Sequence, residues 1–160
     1  MSAPDIATLF AYEELILPAW AGILNDLGLN AFVEFSDASK TTPWIDVFLD
    51  HADPTGHRFN HNNGQLYFDA WEGRLVHQIW TQRGLNSDQQ APILSQIRTA
   101  AINFMLDPVQ TVLQYHAVLL LEESKREPGL TRGVDHTLNL DWSKLPFDII
   151  FQVRADAWPL

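Results

Sequence analysis

Cysteine is absent from this 160-residue chain, which excludes a disulfide framework, a thiolate nucleophile and any cysteine-ligated zinc or iron–sulfur site. Positive charge is scarce. Three Lys and seven Arg stand against twenty Asp and Glu, a formal net charge of −10. A surface of that sign repels phosphate backbones, so sequence-independent nucleic-acid binding is not expected. No run of about 18 apolar residues is found, and the start MSAPDIATLF has neither a basic n-region nor a small-residue cleavage site, so the reading is a chain made in a cytoplasm with no membrane partner. Catalytic signatures are missing too. None of the serines sits in a G-x-S-x-G elbow, and the eight glycines are scattered and form no phosphate-binding loop. The acidic pairs Glu13-Glu14 and Glu122-Glu123 are sequence neighbours, and adjacent residues on a helix or strand do not converge on one substrate atom.

What is present describes a folded chain. Hydrophobic residues make up 46% and charged residues 19%, with six Trp and nine Phe to fill a core. The length fits one domain spanning residues 1–160. From Asp5 to Leu27 apolar residues recur at helical spacing, Gly28 stands where a C-terminal cap belongs, and Pro18 predicts a bend. Ala31–Ser36 and Trp44–Asp50 read as paired strands, with Ala52–Gln65 as a long surface loop. Leu66–Gln82 reads as two strands or one strand bulged at Glu72-Gly73, with Leu75, His77, Ile79 and Thr81 on one face.

A second helix is expected from Asp88–Pro92, with Pro92 in its first turn and a buried stripe of Ile93, Ile97, Ala101 and Phe104. Asp107-Pro108 ends it, and Val109–Tyr115 reads as a short further helix. His116–Glu122, apolar on both faces, suits a covered strand. Lys125–Asp135 reads as an extended hairpin tip between strands, followed by alternating strands at His136–Trp142 and Phe147–Ala155. The expected class is α+β: a mostly antiparallel sheet packed by an N-terminal and a central helix, with loops 52–65 and 125–135 as candidate assembly arms.

One cluster invites a chemical reading. Asp50, His51, Asp53, His57 and His61 are residue types that bind zinc and other divalent ions. A metal-dependent hydrolase built on them is the enzymatic alternative, with the metal activating water. Against it, Pro54 and Gly56 break the helix that would align His57 with His61, and the spacing matches no motif of defined mechanism, so a solvated polar loop is the preferred reading. His77 is either a proton shuttle or, the commoner case, a hydrogen-bonded structural histidine. Trp71, Trp80 and Trp158 lie near strand ends or the terminus and are core or interface aromatics. No cofactor is indicated. A small partner-binding module with a pocket under loop 52–65 is a third reading.

The stretch LYFDAWEGRLVHQIWTQR followed by the helix APILSQIRTAAINF, together with the C-terminal run DHTLNLDWSKLPFDIIFQVRADAWP, resembles tail terminator, neck and related minor tail proteins of long-tailed bacteriophages. The resemblance follows the order of elements over most of the chain and carries no catalytic motif. It implies a non-enzymatic virion subunit, assembled in a host bacterial cytoplasm, that closes into a ring, usually a hexamer. Such a ring caps the tail tube, meets the tail tube protein and the head–tail connector, and lets DNA pass through its lumen without specific binding. On this reading Trp71, Trp80, Arg126 and Arg132 are interface candidates, and the basic loop Lys125–Arg132 either contacts an acidic face of the neighbouring ring, the preferred reading, or is a solvated hairpin.

Overall fold

A stripe of Ile16, Leu17, Trp20, Ala21 and Leu24, each nearly inaccessible to solvent, recurs at helical spacing and lays helix α1 (Glu13–Asp26) against a β-sheet. The computed structural model describes residues 13–33, 40–55, 70–84, 86–107, 112–113, 116–125 and 131–153. The expected helical residues 5–12 lie outside this set. The helix runs through Pro18, which stands on its exposed side. It ends as expected at Gly28, whose φ of 85° is left-handed. The Gly28 N–H donates to the Asn25 carbonyl and the Leu29 N–H to that of Leu24, the paired bonds of a Schellman cap.

Asn25 then links this cap to strand β1 (Ala31–Val33). Its Oδ1 accepts from the Ala31 N–H at 2.7 Å and its Nδ2 donates to the Ala31 carbonyl at 3.0 Å. Next come β2 (Trp44–Pro54), β3 (Trp71–Gln82), helix α2 (Asn86–Leu106), β4 (Val112–Leu113), β5 (His116–Glu123), β6 (Thr131–Asp135) and β7 (Leu140–Val153). The seven strands form one sheet in the order β1-β2-β3-β7-β5-β4, with β6 also paired to β7. All neighbours are antiparallel except β1 and β2. The expected α+β class, with a mostly antiparallel sheet and two helices, is the observed one.

Both helices pack on one face of the sheet. Beneath them lie Ile45, Val47 and Leu49 of β2, Leu75 and Ile79 of β3, and Leu145, Phe147, Ile149 and Phe151 of β7, all buried. The α2 stripe Ile93, Ile97, Ala101 and Phe104 closes the core as its spacing predicts. Burying each large side chain contributes about 1.5–3 kcal/mol, so this single layer carries most of the favourable energy of folding.

The expected pairing of β1 with β2 is observed, and it is parallel. Several local expectations are corrected. Ala52–Pro54 continue β2 opposite Trp71–Gly73 and do not open a loop. The bulge lies on β2 between Leu49 and His51, not at Glu72-Gly73. Gly73 serves close approach instead, since a Cβ there would stand 2.6 Å from the His51 carbonyl oxygen. Helix α2 begins at Asn86, which places Pro92 in its second turn, on the exposed side. Val112–Leu113 form a short strand, not a helix, because they pair with His116 and Ala117.

The largest correction concerns the hairpin. Thr131–Asp135 are a strand, and the turn lies at His136–Asn139, within the segment expected to be a strand. Asn139 adopts a left-handed φ of 54°, and the Asp135 carboxylate accepts the Leu138 N–H at 2.9 Å. A strict polar/apolar alternation is therefore overridden by turn chemistry, since Asn and Asp stabilise such a reversal. β5 and β6 occupy successive lengths of the same edge of β7, and just after β5 the Ser124 N–H donates to the Pro146 carbonyl.

Candidate functional site

The sheet face opposite the helices, partly accessible to solvent, carries the most unusual chemistry of the described residues. Strand register places Trp44 opposite Trp80, Trp80 opposite Trp142, and Trp142 opposite Gly133. Three indoles from three strands thus form one row. Side chains two residues apart point the same way, so the next row is Phe32, Asp46, Gln78, Lys144 and Thr131, followed by Phe48, Val76 and Pro146.

Each aromatic is fixed by a neighbour. Trp44 and Trp80 stack with ring centroids 5.6 Å apart and planes at 21°. Trp80 donates its Nε1 hydrogen to Asp46 at 3.0 Å, while Lys40 donates to the other oxygen of the same carboxylate. Lys40 also lies over the rings of Phe32 and Trp44. Across the sheet, Trp142 leans over Gly133, where any Cβ would stand 2.3 Å from the indole. Only glycine permits that packing. Lys144 lies between Trp142 and Phe48, 5.3 and 5.9 Å from their ring centres. Such contacts partly replace water around an ammonium group.

Two recesses flank these side chains. One, of about 280 Å³, is floored by Phe48, Val76 and Pro146 beside Arg74 and Lys144. The other, of about 480 Å³, runs past Lys40, Thr42 and Trp44 to Leu138 and Leu140 of the hairpin. The chemistry of this face is that of recognition: large rings, Trp44 buried and Trp80 and Trp142 half-buried, cations held over them, and hydrogen-bonding side chains between.

The sequence-derived candidates are scattered. Trp80 belongs to the aromatic row. Trp71 falls on the other face, opposite Phe151, and packs against the core. Arg132 is exposed on β6 but points away from the row, sharing the side of Ser143. Arg126 and Trp158 lie outside the described residues. Trp44, Trp142, Lys40 and Lys144 were not singled out from sequence; their only signal was alternation, which cannot say which strands meet.

Of the metal set, His57 and His61 lie outside the described residues. Asp50 is exposed and pairs with Arg74 at 3.3 Å, with His51 Nδ1 3.9 Å away. Asp53 is exposed on β2. Among the described residues no three His, Asp or Glu side chains are grouped to hold a metal ion. Glu122 and Glu123 pair separately with Lys125 and Arg98.

His77 is fully buried and takes the structural part. Its Nε2 accepts the Trp20 indole N–H at 2.8 Å and its Nδ1 faces the Leu145 carbonyl at 3.1 Å. Burial lowers its pKa from 6.5 to about 4, with the backbone hydrogen bond opposing in part. No helix of the described residues is long and apolar enough to cross a membrane. The sequence matches no protein-family profile and no curated protein.

Proposed function

We propose that this chain is a structural virion subunit, a tail terminator or neck component that acts by forming a ring, with six copies as the expected number, and carries out no catalysis. The observation that carries the reading is the sheet face opposite the helices. Trp44, Trp80 and Trp142 stand in one row that neither helix covers; Trp44 is buried and Trp80 and Trp142 are half-buried, and partly accessible tryptophans of this kind favour an interaction site. The element order of the bacteriophage tail terminators, resembled by the sequence, supplies the class of assembly. Head-to-tail contacts between identical subunits close into a ring when the rotation permits.

In such a ring the partners are further copies of the chain, the tail tube protein on one side and the head–tail connector on the other. The location is the virion neck. A charge of −10 per copy surrounds the channel with negative potential, so passing DNA is repelled from the walls and slides without specific binding.

Native mass spectrometry across a concentration series, followed by negative-stain imaging, tests this directly. The expected result is a closed ring around an open channel. A chain that stays monomeric both alone and with tail tubes overturns it. The hydrolase alternative is tested by metal analysis of the purified chain, where less than about a tenth of an equivalent of bound metal refutes it.

A further inference from the structure

Lys144 is a half-buried cation without a carboxylate partner among the described residues. Its contacts are the rings of Trp142 and Phe48, and its neighbours in the cross-strand row, Gln78 and Thr131, are neutral. The other cation of the recess, Arg74, is engaged by Asp50, and Lys40, beside the tryptophan row, by Asp46. One uncompensated positive charge therefore stands beside an apolar floor of Phe48, Val76 and Pro146, in a recess of about 280 Å³. Half-burying an ammonium without a counter-ion costs free energy that ring contacts only partly offset. The chain as a whole has the opposite imbalance, twenty acidic residues to ten basic ones.

We propose that this recess is the acceptor half of the contact between copies: it receives a carboxylate side chain from the acidic surface of a second copy, which pairs with Lys144 while its aliphatic stem covers the apolar floor. The inference rests on the ring reading above and assigns one of the two surfaces that a head-to-tail contact needs. Charge decides the occupant. A cationic recess on an acidic molecule attracts its own copies in one orientation and leaves the remaining like-charged faces apart. Thr131 lines the same recess, and its hydroxyl offers a second donor to an incoming carboxylate.

The test is the oligomeric state of the full-length chain, read by native mass spectrometry and light scattering, for wild type, Lys144→Glu, Lys144→Met and Lys125→Glu. Lys144→Met keeps an unbranched stem over the two rings, and Lys125 is an exposed lysine, paired with Glu122, that does not line the recess. Circular dichroism checks that each variant is folded. The expected result is that Lys144→Glu raises the concentration for half-assembly by at least about tenfold, that Lys144→Met does so in part, and that Lys125→Glu leaves it within about threefold. Wild-type assembly is expected to weaken as salt rises, and that of Lys144→Met to respond less.

If Lys144→Glu, or Lys144→Met should the former fail to fold, assembles like wild type, this recess is not the contact, and the ring reading stands without it. If Lys125→Glu is as damaging as Lys144→Glu, the effect is general charge and the assignment fails. A wild-type chain that is monomeric under every condition overturns the ring reading and this contact together.

Discussion

One histidine should make this fold sensitive to acid beyond its carboxylates. His77 has no solvent exposure, and its ring is held in a single tautomer: because Nε2 accepts the Trp20 N–H, the ring proton sits on Nδ1, facing the Leu145 carbonyl. The rings of Trp20 and Phe147 flank it, 6.2 and 5.2 Å away between centres, and supply no compensating charge. Protonation would put a hydrogen on Nε2 against the Trp20 donor and leave an imidazolium in an apolar layer. The pKa is accordingly lowered from 6.5 to about 4.

A lowered histidine pKa means that the unfolded chain binds the proton more readily than the folded one. Stability is then full above pH 6.5, falls as pH drops toward 4, and levels off below that. Two and a half units correspond to about 3 kcal/mol in total, of which about 2 kcal/mol is lost by pH 5. Urea unfolding followed by tryptophan fluorescence at pH 7, 5 and 4 measures it, with His77→Gln as the comparison that cannot titrate. Carboxylate titrations are common to both proteins and cancel in the difference. If the wild-type and His77→Gln stabilities change in parallel, within about 0.5 kcal/mol over this range, burial of a neutral His77 is not what links stability to pH.

The partner of that bond gives a second prediction: Trp20→Phe leaves the buried Nε2 of His77 without a donor and should cost at least about 1–3 kcal/mol in the same unfolding assay. Trp80→Phe, which removes the half-exposed bond to Asp46, should cost about 1 kcal/mol or less. Gly133→Val drives its Cβ into the Trp142 indole, so the β6–β7 hairpin should lose about 1–3 kcal/mol, visible as a lower Tm and altered Trp fluorescence. Two helix glycines should move in opposite directions. Gly22→Ala, with open space around its Cβ, should raise stability by up to about 1 kcal/mol, whereas Gly28→Ala, at a φ of +85°, should lower it by about 1 kcal/mol. Thermal melts of the pair separate propensity from cap geometry.

Much of this architecture was legible in the chain because it is written locally. The α2 stripe, the Schellman glycine after α1, the face shared by Leu75, His77, Ile79 and Thr81, and the α+β class all follow from periodicities of 3.6 and 2 and from the turn chemistry of glycine. Where two local signals competed, the reading failed. Residues 136–142 alternate as a strand would, yet Asp135 and Asn139 turn the chain there. Pro92 marks no helix start because its exposed position lets the helix tolerate one missing hydrogen bond.

The candidate site lay beyond such signals. Trp80 was visible as an aromatic near a strand end, but nothing local says that it meets Trp44 on one side and Trp142 on the other, residues 36 and 62 positions away. Nor does the sequence say that Gly133 faces Trp142 so that an indole can lie over it. Composition, charge and periodicity belong to single residues and short segments, so the sequence by itself determined the class of fold, the helices and the acidic balance. Register and sheet order are long-range choices between strands of similar propensity, decided by which pairing buries the common apolar face. Only the tertiary structure, therefore, gathered the tryptophans into a row and placed Lys144 between two rings without a counter-ion.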